Sequence, residues 1–302
     1  METASSLSGR DNINALLWAL ASAVVASAMT VSVRPVAEET SPIMTVMLRA
    51  GFSAGIILLV VALLPPIRRQ LRFTRPRDHL LRGTLIAVAT ALGFWTIAEV
   101  PLATAAVLFF TAPIFAVIIA ALFQGERVGP RRWLAVLIGF AGALVILRPG
   151  LEAFHPAMLG ALGSSLLFAT ALSMSRKLAQ ADGPLSAFVS SVFVTMIIMA
   201  PIALPRCSLP DTEVGWIATG ILVITGAVRN VADIQSYRYG DAAVVGPVSY
   251  LRIVFVGLAG WLLFAEVPDL ATIIGAAIII GSTLYIARRE ARLGRAGRPA
   301  AP

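Results

Sequence analysis

The chain has 302 residues, of which 58% are hydrophobic and only 13% charged, and its mean hydropathy is +0.86. Soluble domains carry about 25% charged residues; a chain this apolar stays dispersed only where lipid replaces water around it, which excludes a pair of soluble domains. The net charge of +8 is nearly all arginine, with Lys177 the sole lysine, and these bases cluster in short stretches between apolar runs, which points to a membrane and away from nucleic acid.

A helix needs about 20 apolar residues to cross the hydrocarbon core. Ten runs approach that length: 14–33, 43–64, 80–98, 102–123, 133–147, 157–174, 185–204, 214–236, 242–264 and 270–287. They are continuous rather than alternating, which disfavours a β-barrel. The first run contains Ala26-Ser27-Ala28, similar to a signal-peptide cleavage site. It is read as a span because it is long enough and because the repeat below requires it. Breakers punctuate the series. Pro65-Pro66 ends the second run, while Pro101, Pro156, Pro184 and Pro268 stand at or just before the starts of the fourth, sixth, seventh and tenth. Proline suits a helix start, where its missing N–H has no partner to lose. Residues 288–302 form a basic, polar tail expected to be disordered. The lone Cys207 excludes an internal disulfide and a cysteine metal cluster. His79 and His155 both fall in predicted loops, so a histidine metal site is disfavoured and no cofactor is expected.

Charge fixes the orientation. Arg68, Arg69, Arg72, Arg75, Arg77 and Arg82 follow the second run, Arg127, Arg131 and Arg132 the fourth, Arg176 and Lys177 the sixth, and Arg288, Arg289, Arg292, Arg295 and Arg298 the tenth. The alternate loops hold Arg34, Arg148 and Arg206 among Glu38, Glu39, Glu99, Glu152, Asp211, Glu213, Glu266 and Asp269. The positive-inside rule then places both termini in the cytoplasm and makes the number of spans even.

Residues 102–148 resemble residues 242–288 at a fixed offset of 140: Ala103 meets Ala243, Phe115 meets Phe255, Leu122 meets Leu262, Glu126 meets Glu266, Ile138 meets Ile278, Leu144 meets Leu284, Ile146 meets Ile286 and Arg148 meets Arg288. The paired glutamates weigh most, because charge is scarce here. The predicted fold is therefore an all-α membrane protein of ten transmembrane helices, arranged as two five-helix repeats over 14–148 and 157–287. Five is odd, so the second copy inserts upside down. Inverted repeats are typical of secondary transporters, whose halves exchange roles between inward-open and outward-open states.

Three stretches of the second half carry a family likeness: Gly246-Pro247-Val248-Ser249-Tyr250-Leu251-Arg252, then Gly260-Trp261-Leu262-Leu263-Phe264-Ala265-Glu266-Val267-Pro268, then Ile274-Gly275-Ala276-Ala277-Ile278-Ile279-Ile280-Gly281. The first half shows Thr111-Ala112-Pro113-Ile114-Phe115, Gly125-Glu126-Arg127 and Gly139-Phe140-Ala141-Gly142, leading to Arg148-Pro149-Gly150. In these residues the chain resembles EamA-type proteins of the drug/metabolite transporter superfamily. The resemblance implies transport of a small organic metabolite across the bacterial inner membrane and leaves the substrate open, since such proteins move amino acids, nucleoside-like metabolites, vitamins and drugs. Two departures are Ala265, where a glycine usually precedes the glutamate, and Ala135, which faces Gly275 in the repeat.

A charge deep in a membrane helix costs about 2.5–3.5 kcal/mol on insertion scales and needs a partner or an aqueous cavity. Arg229 lies near the middle of the eighth run, Asp233 one turn on along the same face, Arg252 near the middle of the ninth, and Arg49 nearer the outer end of the second. Arg229 and Arg252 are candidates to hold an anionic or zwitterionic group, since guanidinium grips carboxylate or phosphate with two parallel hydrogen bonds. Asp233 would balance one of them and is the candidate for proton coupling. Asn230 and Gln235 could add neutral hydrogen bonds, and Tyr250, Trp95 and Phe109 apolar walls. The alternative is architectural: Arg229 and Asp233 neutralise each other, and Arg252 binds a helix carbonyl. For Arg49, snorkelling or interhelical packing is the favoured reading. Glu126 and Glu266 read as helix-end or loop anchors ahead of gates. Pro113, Pro201 and Pro247 lie inside helices and can bend them. Gly51 and Gly55 have the spacing that lets helices approach closely.

No His-Glu-x-x-His, no Gly-x-Gly-Asp and no paired-aspartate motif is present, Arg238-Tyr239-Gly240-Asp241 being only half a match, so an enzyme is not expected. No charged ring or filter loop suggests a channel, and no Gly-x-x-x-x-Gly-Lys loop suggests ATP. The reading is a secondary transporter, exporting or exchanging its substrate, with uptake of an anionic or zwitterionic metabolite as the alternative. Its partners are the small-molecule substrate, membrane lipid, and a proton or counter-substrate.

Overall fold

A computed structural model describes residues 9–123, 129–148, 154–239, 248 and 250–296. The helices are α1 (Gly9–Glu39), α2 (Pro42–Leu63), the short α3 (Pro65–Gln70), α4 (Pro76–Glu99), α5 (Leu102–Phe109), α6 (Ala112–Phe123), α7 (Pro130–Leu147), α8 (Ala157–Asp182), α9 (Pro184–Ala203), α10 (Glu213–Tyr239), α11 (Leu251–Phe264) and α12 (Leu270–Ala296). No strand occurs among the described residues. Seven helical spans are long and apolar enough to cross a membrane, counting Leu102–Phe123 as one, and Trp133–Leu147, Leu251–Phe264 and Leu270–Tyr285 are shorter apolar helices. The chain is a multi-pass membrane protein.

Helix starts follow the local chemistry. Proline opens α2, α3, α4, α7 and α9, and the Ser41 side chain accepts the Met44 N–H at 3.1 Å to cap α2. Several helices outrun the apolar stretches that announced them, because the polar residues at their ends find partners. α1 continues past residue 33 through Arg34 and Pro35 to Glu39, whose carboxylate accepts the Asp211 and Thr212 N–H groups at 2.9 and 3.1 Å. α12 runs past residue 287 to Ala296, so residues 288–296 of the tail expected to be disordered are helical, and α8 runs past residue 174 to Asp182. There the carboxylate accepts the Thr74 N–H at 3.0 Å and the Thr74 hydroxyl at 2.6 Å.

His79 corrects the sequence reading. It lies inside α4, 4% exposed, with Nδ1 2.7 Å from the Ser190 hydroxyl and Nε2 3.1 Å from Asp182. Hydropathy missed this turn because a buried histidine scores as polar whether or not it is paired. His155 does lie outside the helices.

The 102–123 run is broken at Phe110 and Thr111, between α5 and α6. Pro113 explains the break, since it cannot donate to the carbonyl four residues back. That carbonyl belongs to Phe109, and the Ser165 hydroxyl of α8 donates to it at 3.3 Å. Pro35 and Pro201 stand inside α1 and α9; Pro247 and Glu126 lie outside the described residues.

α1 lies along α10, α4 against α8 and α9, and α7 against α12. The main apolar core joins Met29 and Val33 of α1, Phe94 of α4, Leu102 of α5, Leu222 of α10 and Val256 of α11, so both halves of the sequence build it. Large apolar side chains such as Leu59, Leu63, Leu137 and Leu262 point outward, where lipid tails rather than water meet them. Close helix approach occurs at Gly142 and Gly275, where a Cβ on Gly275 would sit 2.8 Å from the Gly142 carbonyl. Gly51 and Gly55 face open space, so their spacing marks no tight contact.

Candidate functional site

The deep charges of the sequence converge. Arg229 and Asp233 lie one turn apart on α10, with Arg229 Nε 3.5 Å from Asp233 Oδ2. The other Asp233 oxygen accepts the hydroxyl of Ser22, on α1. Arg252, on α11, donates through Nη2 to Thr30 Oγ1 at 3.0 Å, again on α1. Ser22 and Thr30 flank the midpoint of α1, so the cluster sits near the middle of the bundle. The α1 face toward it is lined by small hydroxyl side chains, which leave room for guanidinium groups and can pair with them.

Arg49 joins this cluster. Its guanidinium lies over the Phe94 ring, 5.9 Å from the centroid, and beside Gly226, where a Cβ would come within 3.4 Å of Arg49 Nε. Arg49 and Arg252 are both within electrostatic reach of Arg229. The sequence reading favoured snorkelling or packing for Arg49; the side chain turns inward over Phe94. The available signal was Gly226, whose lack of a side chain on α10 admits the guanidinium.

The aromatic candidates lie elsewhere. Trp95, one residue beyond Phe94, points to a different face of α4 and packs with a second core that includes Met158 and Ala161 of α8. Phe109 bridges the two cores. Tyr250 stacks on Phe110, with ring centroids 4.9 Å apart and 25° between planes. The side chain of Asn230 lies outside the described residues. Gln235 follows on α10, partly buried.

Two polar networks tie the halves together at opposite ends of the bundle. At one end, Arg34 is 8% exposed; it donates to the Ile97 carbonyl at 3.1 Å and the Val100 carbonyl at 2.7 Å, and pairs with Glu266. Its guanidinium also lies over the Phe264 ring at 4.9 Å. The second Glu266 oxygen accepts the Leu102 N–H at 2.7 Å and so caps α5. Sequence reasoning foresaw an anchoring role for Glu266 and missed Arg34, which scored as a loop residue. At the other end, Arg82 of α4 donates to Ser175 at 2.8 Å, the Ala187 carbonyl at 2.9 Å and Ser191 at 2.6 Å, beside the His79–Asp182 pair.

Gly51-Phe52-Ser53-Ala54-Gly55 also fits the Gly-x-Ser-x-Gly pattern of hydrolases. A nucleophile elbow needs a sharp strand-to-helix turn, whereas these residues lie inside the continuous α2.

A lipid-facing helical bundle with a charged cluster in its interior is the build of a membrane carrier of small molecules. The sequence is consistent with that class: the EamA-like transporter pattern matches residues 13–148 and again residues 155–288, and the chain belongs to that family. Among relatives, a riboflavin transporter of Vibrio cholerae is 32% identical over 80% of this chain and 83% of its own length. An S-adenosylmethionine uptake transporter of Rickettsia bellii is 29% identical over 90% and 93%, and a pseudopaline exporter of Pseudomonas aeruginosa is 29% identical over 70% and 75%. A protein of known crystal structure superposes with a TM-score of 0.59 at 18% identity, covering 91% of this chain and 97% of the other, which supports the fold.

Proposed function

We propose that this protein is a secondary transporter that moves a small organic metabolite across the bacterial inner membrane, exporting or exchanging it by alternating access. The observation that carries the reading is the part-buried cluster of Arg49, Arg229, Asp233 and Arg252, placed at mid-bundle by helices from both halves. Charges at that depth mark substrate or ion pathways by default.

On this reading α5 and α6 form one bent span, and the chain crosses the membrane ten times as two five-helix repeats, 14–148 and 157–287, inserted in opposite senses with both termini and the basic 288–302 tail in the cytoplasm. The stacking of Phe110 on Tyr250 supports it, because the two rings occupy matching repeat positions and meet where a pseudo-two-fold axis would pass. Arg229, Arg252, Asp233 and Asn230 would contact substrate, with Tyr250, Trp95 and Phe109 as apolar walls. Asp233, held between Arg229 and Ser22, is the proton-coupling candidate.

A second reading, uptake of an anionic or zwitterionic metabolite, draws on the relative named an S-adenosylmethionine uptake transporter, beside the one named a pseudopaline exporter. Direction follows from gradients, so one experiment addresses both. Untargeted comparison of metabolites inside and outside cells, with and without this chain, should find one class redistributed, and purified protein in proteoliposomes should then exchange it with saturation. Unchanged pools together with single-channel conductance would overturn the carrier reading.

A further inference from the structure

Arginine does not shed its proton in a protein, so a cluster of arginines cannot neutralise itself the way buried lysines or carboxylic acids do. Here Arg229 stands within electrostatic reach of both Arg49 and Arg252, and Asp233, the one carboxylate seen at the cluster among the described residues, reaches Arg229 and Arg252. Asp233 is already committed on both oxygens, to Ser22 and to Arg229. Among the described residues, two positive charges are left without a counter-charge.

The molecule supplies its own comparison for a purely architectural arginine. Arg34 is saturated: two main-chain carbonyls, the Glu266 carboxylate and the Phe264 face take up its guanidinium. Arg82 likewise binds two hydroxyls and a carbonyl. Arg252 has the Thr30 hydroxyl, and its Nε–H is buried with no acceptor among the described residues. A buried donor without an acceptor is rare in a finished interior, and at the centre of a candidate transport site it points to an acceptor that arrives with the substrate.

We propose that the cluster takes a small organic dianion, a dicarboxylate or a phosphomonoester, with Arg49 and Arg252 supplying the two matching charges beside Arg229, whose own charge Asp233 already balances. The proposal rests on the transporter reading and narrows its substrate class. The two free charges match two negative charges, and guanidinium groups reaching in from α2 and α11 on different sides suit an anion that presents oxygens in two directions. A phosphomonoester gathers those oxygens on one group and a dicarboxylate spreads them over two.

The test uses the full-length protein in detergent and a thermal-shift panel of metabolites sorted by charge, with succinate and glycerol 3-phosphate as the first dicarboxylate and phosphomonoester probes. Stabilising hits are expected to concentrate among dianions, and whether carboxylates or phosphates dominate assigns the source. Arg49→Gln and Arg252→Gln should each weaken binding of those hits by about tenfold or more while leaving the ligand-free melting temperature unchanged or raised, because each removes an unpaired charge. Arg34→Gln should lower the melting temperature and leave the charge preference intact. A panel whose hits are neutral, cationic or singly charged, or that contains no dianion, overturns the proposal, as does dianion binding indifferent to Arg49→Gln and Arg252→Gln. If neutral or cationic hits still exchange across proteoliposomes, the charge class fails and the transporter reading stands. If dianions bind through these arginines but never cross, the carrier reading fails instead.

Discussion

Phe110 and Tyr250, 140 positions apart in the chain, stack face to face with ring centroids 4.9 Å apart and 25° between their planes. Each stands where a helix is interrupted, Phe110 between α5 and α6 and Tyr250 at the head of α11. Replacing either ring with alanine should destabilise the protein, and the double variant should lose less than the sum. A coupling of about 0.5–1.5 kcal/mol is expected for an aromatic pair, measured by a double-mutant cycle on thermal unfolding in detergent.

Glu266→Gln tests the Arg34 network. It leaves the buried Arg34 guanidinium without its carboxylate and weakens the cap on the Leu102 N–H. Breaking a buried pair from one side costs about 3–5 kcal/mol, so a lower melting temperature is expected. Arg34→Met combined with Glu266→Gln should recover part of it, and a double variant no better than Glu266→Gln alone would show that the charge is not the cause.

Ala265 has φ 54°, in the left-handed region that terminates α11. The family-like pattern usually has glycine before the glutamate, and the first half of this chain has Gly125 at the matching position. Left-handed backbone costs an L-residue about 1–2 kcal/mol, partly offset by the greater unfolded-state freedom of glycine. Ala265→Gly should therefore raise stability by about 1 kcal/mol, read as an upward shift in melting temperature.

Gly275 lets α12 approach α7. An alanine there would put its Cβ 2.8 Å from the Gly142 carbonyl, and into the Ile146 side chain. The carbonyl is main chain and cannot turn aside. Gly275→Ala should cost about 1–3 kcal/mol, the usual range for overpacking. Gly51→Ala, at a position facing open space, should be nearly silent in the same assay.

Asp269, between α11 and α12, gives a pH dependence. Partial burial pushes its carboxyl up, but the Thr272 N–H at 2.7 Å, the Thr272 hydroxyl and the Arg148 guanidinium outweigh this and hold it below the ordinary aspartate value. A depressed folded-state value stabilises the protein above the unfolded value, near 4, and this contribution is lost as pH falls through the folded value. Melting temperature should drop below about pH 4, and Asp269→Asn should flatten part of that drop. The group is half exposed, so the effect should be modest and weaken with salt.

The sequence was most informative where one physical quantity dominates. Hydropathy located the apolar runs, because lipid tolerates no long polar stretch, and all the helices observed except the short α3 fall on them. Proline marked the helix starts and the break ahead of Pro113. Hydropathy failed at His79, Arg34 and Asp182, polar residues that scored as loop and lie in helices. Each is paired across the bundle with a residue more than sixty positions away, and no local window registers such a partner.

The sequence by itself determined that this chain lives in a membrane, that it is helical, and that its two halves are related, since solvation of an apolar chain and a repeat at constant offset are both local or self-comparing properties. The tertiary structure alone decided which charges are spent and which are free. The sequence put Arg34 in a loop and Arg252 in the middle of an apolar run, and neither placement says what its guanidinium meets. Folding surrounds Arg34 with carbonyls and a carboxylate and leaves Arg252 Nε buried without an acceptor, because saturating a guanidinium takes groups from several helices at once.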